Sequence, residues 1–266
     1  MHPHTQTAKA NQYPKTLLSS HMAKIFITGS TDGLGLLTAK ALLKQGHEVT
    51  LHARNQDRKN ILQHQLPDQQ ILIADLSSIN ECKALAERGN QIGTFDAIIH
   101  NAGVYQVSGN TEDNLPILFA VNTLAPYILT TLMHLPNRLI YLSSQMHLSG
   151  NANVSKLSKE NFSTSYSDTK LHDLILAKAV ARKHPEVYSN AVDPGWVPTK
   201  MGGKNAPDNL QKGYETQVWL AAGTDQSANI TGQYLHHKRP ATYHEMADDE
   251  LIQDTLLEQC KRISGV

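Results

Sequence analysis

The chain has little cysteine, no excess of charge of either sign and no uninterrupted apolar run. Cys82 and Cys260 are the only cysteines in 266 residues. They are too few and too far apart for a zinc cluster or a disulfide framework, which fits a reducing, cytoplasmic compartment. Lys and Arg together number 24 and Asp and Glu another 24. No overall field therefore draws the protein to nucleic acid or to an anionic membrane, although a local basic pocket remains open. The most apolar stretch, residues 115–135, is broken by Asn122, Thr123, two prolines and His134, so it reads as a buried helix and not as a membrane span. There is no repeat of solenoid type. His2 and His4 alone do not make a ligand set, and no metal is expected.

Residues 1–22 lack apolar periodicity and a signal-peptide core, and they read as a disordered leader, with Met22 directly before the first strand pattern. From residue 23 to 266 the length suits one large domain. Short apolar runs alternate there with longer helical patterns. Strands are expected at 24–28, 47–52, 70–74, 95–100, 138–142, 187–192 and around 233–235. Helices are expected up to about 45, then near 56–64, 78–88, 113–133, 165–183, 210–222 and 248–262. Such alternation specifies a single-domain α/β fold of the Rossmann type, a doubly wound parallel sheet with helices on both faces.

Two segments carry chemistry. Thr28-Gly29-Ser30-Thr31-Asp32-Gly33-Leu34-Gly35 lies between the first strand and the first helix, where a glycine-rich turn lets a pyrophosphate approach backbone amides. Taken alone, this spacing fits a nucleotide turn and a flexible close-packing turn equally well. Tyr166 and Lys170 stand four apart in the second segment, so on a helix they share a face. A phenol has a pKa near ~10, and a neighbouring ammonium pulls it down, which predicts an acidified tyrosine.

These residues, with others in fixed order, resemble the short-chain dehydrogenase/reductase family from about Lys24 to the C-terminus. The glycine turn matches at Thr28, Gly29, Gly33 and Gly35. The adenine-contacting acid matches at Asp75, followed by Leu76, and the Asn-Ala-Gly motif at Asn101, Ala102 and Gly103. The structural and relay asparagine matches at Asn122, the serine at Ser144, and the tyrosine and lysine at Tyr166 and Lys170. A Pro-Gly turn with its threonine follows at Pro194, Gly195 and Thr199. The resemblance implies an oxidoreductase that interconverts a carbonyl and an alcohol by hydride transfer. Ser144 would polarise the carbonyl and Tyr166 would donate the proton. Lys170 would lower the tyrosine pKa and hold the nicotinamide ribose, and Asn122 would anchor a water leading from Lys170 to solvent. It further implies that Ser30, Thr31, Asp32 and Leu34 line the pyrophosphate turn, that Val197 sets a backbone amide against the carboxamide, and that homodimers or homotetramers form through the helices near 113–133 and 165–183.

Two departures stand out. His100 replaces the first of the two asparagines common before Ala-Gly, and the gap from Ser144 to Tyr166 is long, with an inserted polar segment over residues 151–161. The long gap and the Tyr166-Ser-Asp-Thr-Lys-Leu-His run are similar, more loosely, to the retinol-dehydrogenase-like branch, which leaves retinoids as one substrate candidate among many.

Where the second strand ends, an acid would pair with the ribose of NAD; Ala53 and Arg54 stand there instead. NADP(H) is therefore expected over NAD(H), with Arg54 gripping the phosphate in a bidentate way. Arg54 also reads as a solvated turn residue, and Asp32 adds a nearby negative charge. The substrate is expected to be a moderately apolar small-molecule carbonyl or alcohol. The loop over residues 196–210 and the segment 151–161 would shape its pocket, and Trp196, Met201 and Tyr214 read equally as lining or as packing. The alternative is a non-catalytic NADP(H)-binding redox sensor. A structural interaction protein would need none of these motifs, and a sugar-nucleotide epimerase would carry a different glycine spacing and a larger C-terminal region.

Overall fold

Capped helices and short apolar strands alternate along the chain as the sequence predicts. The computed structural model describes residues 22–266, so the expected leader lies outside the described residues except for Met22. In chain order the elements are β1 (Lys24–Ile27), α1 (Gly33–Lys44), β2 (Glu48–Ala53), α2 (Gln56–Gln65), β3 (Ile71–Ile73) and α3 (Ile79–Ile92). They continue with β4 (Ala97–His100), α4 (Ile117–Phe119), α5 (Ala125–Leu132), β5 (Arg138–Leu142), α6 (Tyr166–Lys183) and β6 (Tyr188–Asp193). The last are α7 (Leu210–Ala222), β7 (Tyr234–His236), β8 (Arg239–Pro240) and α8 (Glu250–Ser264). Local chemistry sets several of these starts: Asn55, Ser78 and Asn209 each accept a backbone N–H at the N-cap of α2, α3 and α7, and Ser165 and Asp168 form a capping box on α6.

The strands make one sheet in the order β3-β2-β1-β4-β5-β6-β7-β8, parallel except for the β7–β8 pair. Strand β8 was not expected from the sequence. His237 and Lys238, with φ of +48° and +63°, make the two-residue turn that joins antiparallel strands, and no Asn-Gly pair marks it. Side chains alternate across the pleat, so Ile25, Ile27 and Ile99 join a core under α1, α2 and α7, while Phe26, Ile98 and Tyr141 join the larger core under α3, α5, α6 and α8.

The helix expected over 113–133 starts at Ile117, is wound as a π-helix over Ala120–Leu124 and returns to α geometry in α5. Pro126 has no N–H to offer the Asn122 carbonyl four residues back, and the Ala125 amide bonds the Ala120 carbonyl at π spacing instead. The segment 151–161 does not shape the cleft. It holds a short 3-10 turn, Val154–Ser158, whose Val154 and Leu157 are buried against the core that α8 closes, with Arg262 donating to the Leu157 carbonyl. Every residue from Asp168 to Val180 of α6 is buried, because the sheet lies on one side of that helix and α8 on the other. Leu256 and Cys260 of α8 are fully buried, Arg182 reaches Gln253 and Asp254, and Tyr127 donates to the Val266 carbonyl. Association through α5 and α6 would therefore involve α8 as well. No described helix is long and apolar enough to cross a membrane.

Candidate active site

Strand order reverses beside β1: β2 lies on one side of it and β4 on the other, and ligands of open α/β sheets bind in the crevice at the carboxyl ends of such strands. A cleft of about 640 Å³ opens there. Thr28 and Asn101 build its floor. Thr28 Oγ1 accepts from the amides of Asn101 and Ala102 at 3.0 and 3.1 Å, and Asn101 Nδ2 donates to the carbonyls of Thr28 and Gly29, each at 2.9 Å. These bonds latch β1 to β4 and draw the glycine turn against Ala102. Gly29 has φ of +64°, and a Cβ there would meet Ala102 Cα at 2.7 Å; at Gly35 a Cβ would overlap Asn101 Nδ2 and the Gly29 carbonyl.

Asp32 occupies the N-cap of α1, yet its side chain caps nothing and instead pairs with Arg58 at 3.2 Å and Lys200 at 3.1 Å. The first amides of α1 thus keep free donors toward the cleft, and with the close-packed glycines this cradle fits a pyrophosphate. His52, not singled out in the sequence, fixes the turn from beneath. It accepts from the Gly29 amide at 2.9 Å and faces the Ala74 carbonyl at 2.9 Å. Burial lowers its pKa to about 4, so it is neutral, with Nδ1 as acceptor and the hydrogen on Nε2.

Of the residues expected at the cofactor site, Gly29, Thr31, Asp32, Gly33, Leu34, Gly35, Arg54, Asp75, Leu76, Asn101, Ala102, Gly103, Tyr166, Lys170, Pro194 and Thr199 line the cleft. Five expected residues do not line it: Ser30, Asn122, Ser144, Gly195 and Val197. Ser30 is turned inward, its hydroxyl donating to the Ile27 carbonyl and accepting from the His52 amide at 2.8 Å. Gly195 takes φ of +80° in a turn where Asp193 accepts its amide, and Val197 is buried behind it. Arg58 and Lys200 join Arg54 on the wall, a basic trio of which the sequence reading found only Arg54. No local pattern marks Arg58, because Arg54 precedes the N-cap Asn55 of α2 and the two arginines do not share a helix face.

The opposite wall comes from α6 and β5. Tyr166 is half-buried, its ring edge-on to Tyr105 at 4.7 Å and its hydroxyl 4.0 Å from Met201 Sδ. Lys170 is buried, with Nζ 5.5 Å from the Tyr166 ring centre, and donates to the Leu142 carbonyl at 2.6 Å and to Asp173 at 2.8 Å. The expected acidification of Tyr166 does not hold here. Burial raises its pKa, Lys170 pulls it down only in part, and Asp173 and Tyr105 add to the rise. For Lys170 burial pulls downward, but Asp173 and Tyr166 raise the ammonium by more.

Asn122 Oδ1 accepts from the Val104 amide, and its Nδ2 donates to the Val104 carbonyl and to Thr169, so the side chain clamps the loop after β4 to α6. Ser144 accepts from the Met146 amide at 3.2 Å, while its neighbour Ser143 reaches the cleft and donates to the Lys170 carbonyl at 2.7 Å. His147 braces this serine turn, bonding the Ser144 carbonyl at 2.7 Å and the His244 amide at 3.1 Å. On the substrate side Met201 lines the cleft. Trp196 is 60% exposed and donates to the Gly202 carbonyl, and Tyr214 packs with the core beneath α7.

A family model described as short chain dehydrogenase matches residues 23–210. The chain belongs to the short-chain dehydrogenase family. Members of this family are oxidoreductases that bind a nicotinamide cofactor. The chain is 44% identical to an uncharacterized oxidoreductase of Emericella nidulans, over 92% of this chain and 98% of that one. It is 30% identical to retinol dehydrogenase 14 of Mus musculus, over 92% and 87% of the two chains. Among solved structures, a Mycobacterium Paratuberculosis protein matches with a TM-score of 0.77 at 20% identity, over 92% of this chain and 94% of that one. A blue fluorescent protein from a metagenomic library, in complex with NADPH, matches with a TM-score of 0.65 at 19% identity, over 80% and 95%. At such identities these structures speak for the fold. The α/β sheet expected from the sequence and the family resemblance, including its looser retinol-dehydrogenase side, are borne out.

Proposed function

We propose that this short-chain dehydrogenase is an NADP(H)-dependent oxidoreductase that interconverts a moderately apolar carbonyl and its alcohol, working through Ser144, Tyr166, Lys170 and Asn122. One observation carries the reading: Tyr166 and buried Lys170 share the cleft face of α6, with Nζ 5.5 Å from the ring, opposite the glycine cradle. Gly29, Gly33, Gly35 and the first amides of α1 would hold the pyrophosphate, Asp75 and Leu76 the adenine side, and Lys170 the nicotinamide ribose. The cofactor, when bound, supplies or takes the hydride.

The protein's own part is proton management. Ser144, next to the cleft-lining Ser143 and not itself part of the wall, accepts from the Met146 amide, which leaves its hydroxyl hydrogen to turn toward a carbonyl oxygen. Tyr166, with its pKa raised chiefly by burial, keeps its hydroxyl proton at neutral pH and passes it to the forming alkoxide. The Asn122 side chain is spent on Val104 and Thr169, so a relay role falls to its backbone carbonyl, whose α-helical partner would be the N–H that Pro126 lacks.

Arg54 on the cleft wall supports NADP(H), since no acid stands at Ala53 to grip a ribose and a guanidinium suits a phosphate, while Arg58 and Lys200 are paired with Asp32. Support for the assignment also comes from the NADPH bound by the blue fluorescent protein, a relative in fold. The test is calorimetric titration of NADPH and NADH into wild type and Tyr166→Phe, with turnover of a carbonyl panel in the same preparations. Tight NADPH binding to both proteins with turnover only in wild type is expected. Binding without turnover in wild type on every carbonyl would turn the reading toward a redox sensor, and absence of binding would overturn it.

A further inference from the structure

The family resemblance accounts for Tyr166 and Lys170 but not for Asp173, one helical turn further along α6. Its carboxylate lies 2.8 Å from Lys170 Nζ, and the two side chains are only 3% and 6% exposed. An ammonium has three hydrogens, and two of those on Lys170 go to Asp173 and the Leu142 carbonyl, which leaves one for the cleft that Lys170 lines. A buried ion pair is seldom kept for stability alone, because desolvating both charges costs about as much as their attraction returns. A buried acid next to the lysine that faces the proton donor alters the field at that donor.

We propose that Asp173 is a positioning residue for proton transfer, holding the Lys170 ammonium in place and balancing its charge so that Tyr166 stays a hydroxyl suited to donating a proton in carbonyl reduction. This rests on the reading of Tyr166 and Lys170 as the proton-handling pair. An unbalanced lysine would favour the phenolate, the form that accepts a proton from an alcohol. With Asp173 present, the positive charge reaching Tyr166 is reduced and the site leans toward reduction.

The ionisable groups that act on the pair are Tyr166 on the same helix and Tyr141 from β5, with His100 of β4 stacked on Tyr141 at 4.8 Å, while Tyr105 from the loop after β4 and Asp193 from β6 act on Tyr166. Burial lowers His100 to about 3 and raises Tyr141, so both stay neutral across the working range. Burial also pushes Asp173 up to about 6 against the pull of Lys170, and it therefore remains ionised at neutral pH.

The test is an ultraviolet phenolate titration of wild type, Tyr166→Phe, Asp173→Asn and the double variant. Subtracting the titration of each protein carrying Tyr166→Phe from that of its parent isolates Tyr166. Its midpoint should move down by about one pH unit or more when Asp173 becomes Asn. The ratio of alcohol oxidation to carbonyl reduction at neutral pH should rise in parallel. An unmoved midpoint overturns the proposal, since a merely structural role would not shift it. If Asp173→Asn does not fold, Lys170→Met and Lys170→Met with Asp173→Asn carry the same test, the second removing the buried carboxylate that the first leaves unpaired. The midpoint should then be lower in the double variant than in Lys170→Met, and equal midpoints overturn the proposal. Should Tyr166→Phe keep full turnover of the carbonyl panel, the parent reading falls, whatever the titration reports. Should turnover vanish while the midpoint is the same in both backgrounds, only the role of Asp173 falls.

Discussion

On the β1–α1 side of the cleft the surface offered to a ligand is mainly backbone: glycines packed on Ala102 and Asn101, amides at an uncapped helix start, and His52 held neutral beneath the turn. On the α6 side it is side chains, with a half-buried phenol, a buried ammonium and a buried carboxylate within two helical turns. The first wall works by shape and fixed dipoles, which no change of pH within the neutral range alters. The second works by protonation. Substitutions of the glycines on one wall and of Tyr166 on the other should therefore fail in different ways: loss of binding in the first case, loss of turnover with binding kept in the second.

The largest effect expected is Tyr166→Phe, which should lower turnover by about 10²–10⁴-fold. NADPH affinity, measured by calorimetry, should stay within a few-fold of wild type. Comparable losses of affinity and turnover would break the division between the walls. Gly35→Ala tests the other side. Its Cβ would overlap Asn101 and the Gly29 carbonyl, so it should cost ~1–3 kcal/mol of stability in urea melts through overpacking. It should also abolish NADPH binding, and an alanine variant with wild-type affinity would show that the glycine is there for folding alone.

Acid should act on the fold through buried histidines. Burial lowers His52 to about 4, His100 to about 3 and His172 to about 4. Each is neutral in the folded protein and takes up a proton in the unfolded chain below its ordinary value near 6.5. The unfolded state thus binds more protons between about pH 6.5 and pH 4, and stability, intact above that window, is lost as pH falls through it. Asp173, pushed up to about 6, has the opposite sign, since there the folded state holds the proton; it offsets part of one histidine's share. Urea unfolding at pH 5 should give a free energy roughly 4 kcal/mol below that at pH 7. A stability equal or higher at pH 5 would show that these imidazoles reach water.

The contrast between the walls also explains what the sequence disclosed. Strand and helix order was legible because apolar runs alternate with capped helices, and helix α7 falls over the very residues expected, Leu210–Ala222. The glycine turn and the Tyr166–Lys170 spacing were legible because both are local. Protonation was not: the pull of Lys170 on Tyr166 is opposed by burial and by Asp173, and burial is a property of the assembled helix layers. The segment 151–161 reads as polar insertion, yet its two apolar residues, Val154 and Leu157, dock on the core beside α8, a partner about a hundred residues away in sequence that no local pattern announces. His52 was hidden for the same reason, since its two backbone partners come from the β1 turn and the residue after β3.

Arg54 lies between the two modes, a side chain on the backbone wall. If it grips a phosphate, Arg54→Ala should raise the NADPH Michaelis constant by roughly 10–100-fold, as expected when a charged hydrogen bond worth about 1.5–3 kcal/mol is lost, and leave that for NADH nearly unchanged. Equal effects on both cofactors would remove Arg54 from the phosphate site.

Lys200 should give the smallest response. It reaches Asp32 at 3.1 Å from the loop after β6, but its side chain is 77% exposed, and an ion pair so open to water is worth only ~0–1 kcal/mol. Lys200→Ala should therefore weaken NADPH binding by no more than about fivefold at low salt. Raising the ionic strength should shrink even that difference, because exposed charges are screened beyond about 8 Å at physiological salt. A salt-resistant loss of a hundredfold would mean that the loop closes over the ligand and takes Lys200 out of water. The α6 wall and the loop after β6 would then join in binding, and the two sides of the cleft would no longer fail separately.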